Sequence, residues 1–156
     1  MIHLTNYEYG YFCEHFDEDL ENGQCVRITF QDISEDLSLS ESNNTLVWNC
    51  AILVYNKNKY EEEAIEYFFE EPTTITGTSP IKSAIAGMRM FKSSVEKLRT
   101  LYPTKRNIIT CCWTDEHRHS AYYSFLSKLG YHHGECDGEI ALKKEYEPIN
   151  SIANII

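Results

Sequence analysis

Seven thiol and imidazole side chains crowd the C-terminal third of the chain: Cys111, Cys112, His117, His119, His132, His133 and Cys136. Thiolate and imidazole are the ligands zinc prefers, usually four to an ion. The spacing does not bring them to one ion. Cys111 and Cys112 are adjacent in an apolar, strand-like run and so point to opposite faces. His117 and His119 are two apart in a helix-like run and face differently. No resident metal is expected from this set. A Cys112/His nucleophile pair is the other chemistry these residue types allow. It needs a lowered thiol pKa and a third group to orient the base, and the sequence shows neither. A buried structural cysteine fits the run better.

A chain of 156 residues is one domain, 1–156, long enough to bury a core without staples. The net charge of −10 disfavours direct nucleic-acid binding, which needs a basic face. It suits a basic partner or simply a soluble surface. The acids at 14–21, 61–63 and 70–71 would form a stripe in a less favoured reading, an acidic mimic of nucleic acid. The six cysteines are scattered rather than framed. The start "MIHLTNYEYGYF" has no basic n-region, and no run reaches 18 apolar residues. The expectation is a reduced, cytoplasmic protein with no membrane span.

The periodicity predicts the elements that must position any site. Residues 1–23 form a variable N-terminal part, in which "NYEYGYFCEHFDEDLENG" is compatible with a helix that Gly10 weakens and Asn22-Gly23 stops. "QCVRITFQDI" alternates and reads as a strand, and a short helix is expected after Ser34. "LVWNCAILVY" is a buried strand, "NKNK" a turn and "YEEEAIEYFFEEP" a partner strand whose glutamates also suit a helix. Ser79-Pro80 opens a helix with apolar residues at Ile81, Ile85, Met88, Phe91, Val95 and Leu98, ending before Pro103. "NIITCCW" is a short strand, residues 115–130 a second helix closing on Gly130, and 131–146 a hairpin turning at Asp137-Gly138. The fold class is therefore α/β, a mixed β-sheet flanked by helices.

The order of elements and the ending Lys128-Leu129-Gly130-Tyr131 resemble the GNAT superfamily of acyl-CoA-dependent N-acyltransferases, over roughly residues 24–146. In that family a strand precedes a helix ending in a Lys-Leu-Gly-Phe type sequence, and two strands follow. A narrower likeness is to shortened GNAT-like proteins of tailed phages. The family's pyrophosphate loop corresponds to "TITGTS". Gly77 matches the first glycine, Ser79 is small where glycine or alanine is usual, and Thr74 replaces the basic or amide residue. The resemblance implies acetyl-CoA as cofactor, held by the backbone of Thr76, Gly77, Thr78 and Ser79 at a helix start. A plain strand-to-helix turn explains the same stretch.

The family's proton donor is often a tyrosine four residues before the helix-ending glycine, and that position here is Leu126. Tyr122 or Tyr123, one turn earlier, is the substitute acid, although both also suit a helix face. Glu66 or Glu70 is the candidate base by the same resemblance, and their spacing puts them on one strand face. The resemblance thus implies two functions. One is acetyl transfer to an unknown amine. The other is an inactive GNAT-like phage protein, serving as a virion component or a binder of a host factor. The apolar tail 147–156 is expected to dock on its own domain, on a protein partner or on a second copy.

Overall fold

The computed structural model describes residues 1–19, 24–37, 44–56, 80–112, 120, 123–136 and 138–150, with backbone only at 24, 54–56 and 80–87. Seven strands form one sheet in the order β1-β2-β3-β4-β5-β7-β6. They are β1 (Ile2–Glu8), β2 (Tyr11–Asp19), β3 (Gln24–Asp32), β4 (Thr45–Asn56), β5 (Arg106–Cys111), β6 (His132–Cys136) and β7 (Glu139–Tyr146). Every neighbouring pair is antiparallel except β4 and β5, which run parallel. A parallel pair needs a crossover, and the helix α1 (Pro80–Leu101) lies between the two strands in the chain.

The mixed α/β expectation holds, but the protein is mostly sheet. The N-terminal helix expectation is corrected: residues 2–19 are a β-hairpin. Its two-residue turn is Tyr9-Gly10, both at positive φ, 51° and 86°. That is the type I′ geometry that matches the twist of paired strands. Gly10 therefore makes the turn rather than weakening a helix. The strands at 24–32, 45–56 and 106–111, the 3-10 turn Glu35–Leu37, the long helix and the C-terminal hairpin stand where the periodicity puts them. The partner strand expected at 60–72 lies outside the described residues. Of the second helix, residues 123–126 are helical and tighten into a 3-10 turn at Ser127–Leu129.

One face of the sheet packs on these helices. Phe16, Val26, Ile28, Phe30, Trp48, Cys50, Ile109, Cys111 and Leu142 meet Met90, Phe91, Val95, Leu98, Leu126 and Tyr131 in a single buried cluster. Alternation on each strand produces that face. The opposite face is smaller and more polar, yet much of it is also buried: Cys13, His15, Cys25, Thr29, Val47, Leu53 and Thr110. Both described helical segments lie against the first face. No helix among the described residues is long and apolar enough to cross a membrane. The start of the tail docks on its own domain. Arg99 donates to the Glu147 carbonyl at 2.9 Å, and the Asn150 N–H donates to the Pro103 carbonyl at 2.9 Å. Residues 151–156 lie outside the description.

Gly130 ends the second helix in the left-handed region (φ 90°, ψ 11°), with its N–H on the Ser127 carbonyl. Lys144 Nζ donates to the Leu129 carbonyl at 2.6 Å and completes the cap. An added Cβ would meet only the flexible end of Lys144 at 3.3 Å, so the cost of a side chain is backbone strain. Gly130→Ala is expected to lower unfolding stability by about 1–2 kcal/mol, read from the urea midpoint. An unchanged midpoint would show that the left-handed cap is dispensable.

Candidate functional site

The β4–β5 seam is the place where the sheet's geometry invites a ligand. Thr45–Asn49 pair with Arg106–Thr110, and then the pairing stops. β4 runs on for seven more residues, to Asn56, and among the described residues no strand pairs with it on the β5 side. Ligands of open α/β sheets bind beyond the carboxyl ends of parallel strands, where the chain leaves in different directions. The fork opens at that end.

The seam behind the fork is tightly held. Trp48 Nε1 donates to Asn107 Oδ1 at 2.9 Å, and Thr110 Oγ1 donates to the Trp48 carbonyl at 2.8 Å. Asn49 and Thr110 close the paired stretch on the polar face. Thr110 is satisfied. The Asn49 side-chain oxygen is shut off from solvent and accepts no hydrogen bond among the described residues. A buried acceptor left empty costs about 1–3 kcal/mol. On the other face Cys50 and Cys111 sit side by side in the core. Burial first, and Cys111 second, push the Cys50 thiol well above its usual pKa. Cys112, just past β5, is half-buried. Burial, then Cys136, Glu139 and Cys111, raise its thiol to about 11. The nucleophile reading of Cys112 lacks the lowered pKa it requires.

Thr76, Gly77, Thr78, Ser79, Glu66, Glu70 and Tyr122 lie outside the described residues. Tyr123 is described: it is exposed on the helix and stacks on His133, with centroids 5.2 Å apart. Leu126 is fully buried in the core cluster, so the family's usual donor position is filled by an apolar anchor. Of the metal-ligand set, Cys111 and Cys136 lie on opposite faces of the sheet, since Cys111 pairs with Leu142 whereas Cys136 reaches Thr110. His132 and His133 are exposed. The described members of the set do not gather at one point.

Sequence reasoning missed two buried polar groups on β2. Glu14 is 2% exposed on the helix-covered face. It accepts hydrogen bonds from Thr5 Oγ1 at 2.6 Å, from Tyr102 OH at 2.9 Å and from His3 Nε2. Burial, and then Glu14, raise the Tyr102 pKa. Because Glu14 is inside, residues 14–21 are not an unbroken acidic stripe. On the opposite face His15 is 1% exposed. Its Nε2 lies 3.0 Å from Asn6 Oδ1 and 3.1 Å from Glu8 Oε1, and its Nδ1 lies 2.8 Å from Thr29 Oγ1. Two acceptors at Nε2 place the proton there, so Thr29 donates to Nδ1. Burial lowers the His15 pKa, with Glu8 opposing. Cys13 lies beside them, its thiol raised to about 12 by burial and then by Glu8 and Glu14. The signal in the sequence was Cys-x-His, two apart and hence on one strand face, with Glu8 across a two-residue turn.

With a pKa of about 11 in place of 9.0, Cys112 carries about a hundredfold less thiolate at neutral pH than a free thiol. Its alkylation by iodoacetamide in the folded protein, followed by mass spectrometry, is expected to rise about tenfold per pH unit and keep rising past pH 9. A plateau at or below pH 9 would refute the perturbed thiol. Comparisons with protein-family models, curated proteins and solved structures return no match to this chain, so its function is argued from its own residues and geometry.

Proposed function

We propose that the protein is a GNAT-like protein that holds the thioester end of an acyl-CoA, acetyl-CoA in the first instance, in the fork between β4 and β5. The observation that carries this reading is the orphaned Asn49 oxygen at the point where the two parallel strands stop pairing. The pantetheine arm of coenzyme A is an extended chain with two secondary amides. An extended chain of that kind pairs with a strand edge as a peptide would, and one amide N–H would satisfy Asn49. The order strand, helix closing on Gly130, hairpin supports the same reading, as does a long helix beginning at Pro80 directly after the Gly77 loop. That loop, Thr76 to Ser79, is assigned to the pyrophosphate, where helix-start amides favour anionic oxygens.

For acyl transfer to an amine, Glu66 or Glu70 would take the amine proton and Tyr122 or Tyr123 would return one to the departing thiolate. A second reading, binding without transfer, is favoured by Leu126. The helix carries no proton donor there, and Tyr123 is already engaged with His133. In that reading the same fold serves a phage as a virion component or a binder of a host factor.

Ligand at a hundred times its Kd stabilises by about 2.7 kcal/mol, which raises the melting temperature of a domain this size by about 5–10 °C. Such a rise is expected with acetyl-CoA. It should be lost in Gly77→Trp and reduced in Asn49→Ala, which removes the orphaned acceptor. No rise at millimolar acetyl-CoA would sink the proposal. Binding without thiol release, across a panel of amine acceptors, would select the second reading.

A further inference from the structure

We propose that Glu8, Cys13 and His15 form a binding site for one divalent transition-metal ion of the zinc or cobalt class. Their ligand atoms all lie within 4.8 Å of one another, and all three residues are at least partly buried. Bonds of about 2.0–2.3 Å set the ligands of a tetrahedral ion about 3.3–3.8 Å apart. His15 Nε2 and Glu8 Oε1 are already 3.1 Å apart, so closure requires only a small inward movement of the Cys13 thiol.

The fold supplies this arrangement without a special loop. Cys13 and His15 are two apart on β2 and project to the same face. The turn at Tyr9-Gly10 pairs Glu8 with Tyr11 and Asn6 with Cys13, which brings Glu8 over the same face. One sulfur, one imidazole nitrogen and one carboxylate oxygen suit zinc or cobalt, whereas calcium and magnesium take oxygen ligands. Three protein ligands leave a fourth position. The Asn6 oxygen lies 3.0 Å from His15 Nε2, within the same cluster.

Partners for the ligands are also in place. Asn6 Nδ2 donates to Glu8 Oε1 at 2.8 Å and orients that carboxylate. Thr29 Oγ1 is 2.8 Å from His15 Nδ1, the ring nitrogen that would face away from the ion. On metal binding the His15 proton moves from Nε2 to Nδ1, and the Thr29 hydroxyl turns from donor to acceptor. Cys13 gives up its thiol proton, so one proton leaves per ion bound. Such outer partners fix the tautomer and ring orientation of a ligating histidine. Without metal the same groups satisfy one another, so the hairpin does not depend on the ion to fold.

The test is a cobalt titration of the full chain, reduced and stripped of metal. One equivalent of Co²⁺ is expected to produce a thiolate-to-cobalt charge-transfer band in the near ultraviolet and strong visible ligand-field absorption. Cys13→Ser should abolish the charge-transfer band. Glu8→Gln and Thr29→Val, which preserve side-chain shape, should each weaken binding about tenfold or more. Cys136→Ser should leave the spectrum unchanged. Absence of a thiolate band in the wild-type protein would overturn the site, and so would a band that persists in Cys13→Ser. Should Cys13→Ser lose its far-ultraviolet circular dichroism, Glu8→Gln and Thr29→Val decide, and unchanged affinity in both would equally overturn it.

Discussion

Trp48 is the hinge of the architecture. Its ring is buried where β4 meets β5, its N–H is held by Asn107, its carbonyl receives Thr110, and Tyr102 packs against it at 5.3 Å. The parallel seam is short, five residue pairs, and parallel pairing is slightly weaker per residue than antiparallel. Side-chain bonds from β5 to β4 therefore supplement the ladder. The residue before it on β4, Val47, is tied to the preceding turn by its N–H on Ser34 Oγ at 2.9 Å. These bonds stop at Thr110. Beyond that level no backbone pairing among the described residues joins β4 to its parallel neighbour, and the Cys50–Cys111 thiol contact is what remains between them.

A second constraint lies on β2. Glu14 and His15 are adjacent, so they enter opposite faces, and both are buried. A carboxylate or imidazole shut away from water without partners is strongly destabilising. β1 supplies the partners on both sides: His3 and Thr5 to Glu14, Asn6 and Glu8 to His15. This explains why an edge strand with Ile2, Leu4 and Tyr7 exposed belongs to the domain at all. It also ties the hairpin to the far end of α1, because Tyr102 completes the Glu14 shell.

The same two residues explain what the sequence concealed. In β3 and β4 the inward positions are Val26, Ile28, Phe30, Trp48 and Cys50, so alternation announces a strand. In β2 the inward positions hold Glu14 on one side and Cys13 and His15 on the other. A hydrophobic pattern scores those as polar, and the hairpin reads as a helix broken by Gly10. Tyr9 compounds this, because a tyrosine at φ 51° hides a turn that asparagine would have advertised. Gly130 and Gly138, by contrast, have side-chain patterns on each side that agree with their turns, and both were legible. The fork could not be read locally, since it depends on which strands become parallel neighbours after a crossover.

The two faces of the sheet differ in what they carry. The helix-covered face carries the aromatic and aliphatic bulk. The other face carries a row from Cys13 through Gln31 to Asn49, and beside it a row from His15 through Thr29 to Ala51. Two strand spacings, about 10 Å, separate the hairpin cluster from the fork. Their charges differ accordingly. The hairpin cluster holds a carboxylate, Glu8, beside a thiol and an imidazole, a set that gains from a cation. At the fork, Asn49 and Thr110 close the pairing as uncharged groups, and Cys112 just past β5 feels the Glu139 carboxylate. A chain with net charge −10 repels anions at long range. On the proposed reading, any hold on an anionic cofactor must therefore come from short-range contacts that outweigh this field.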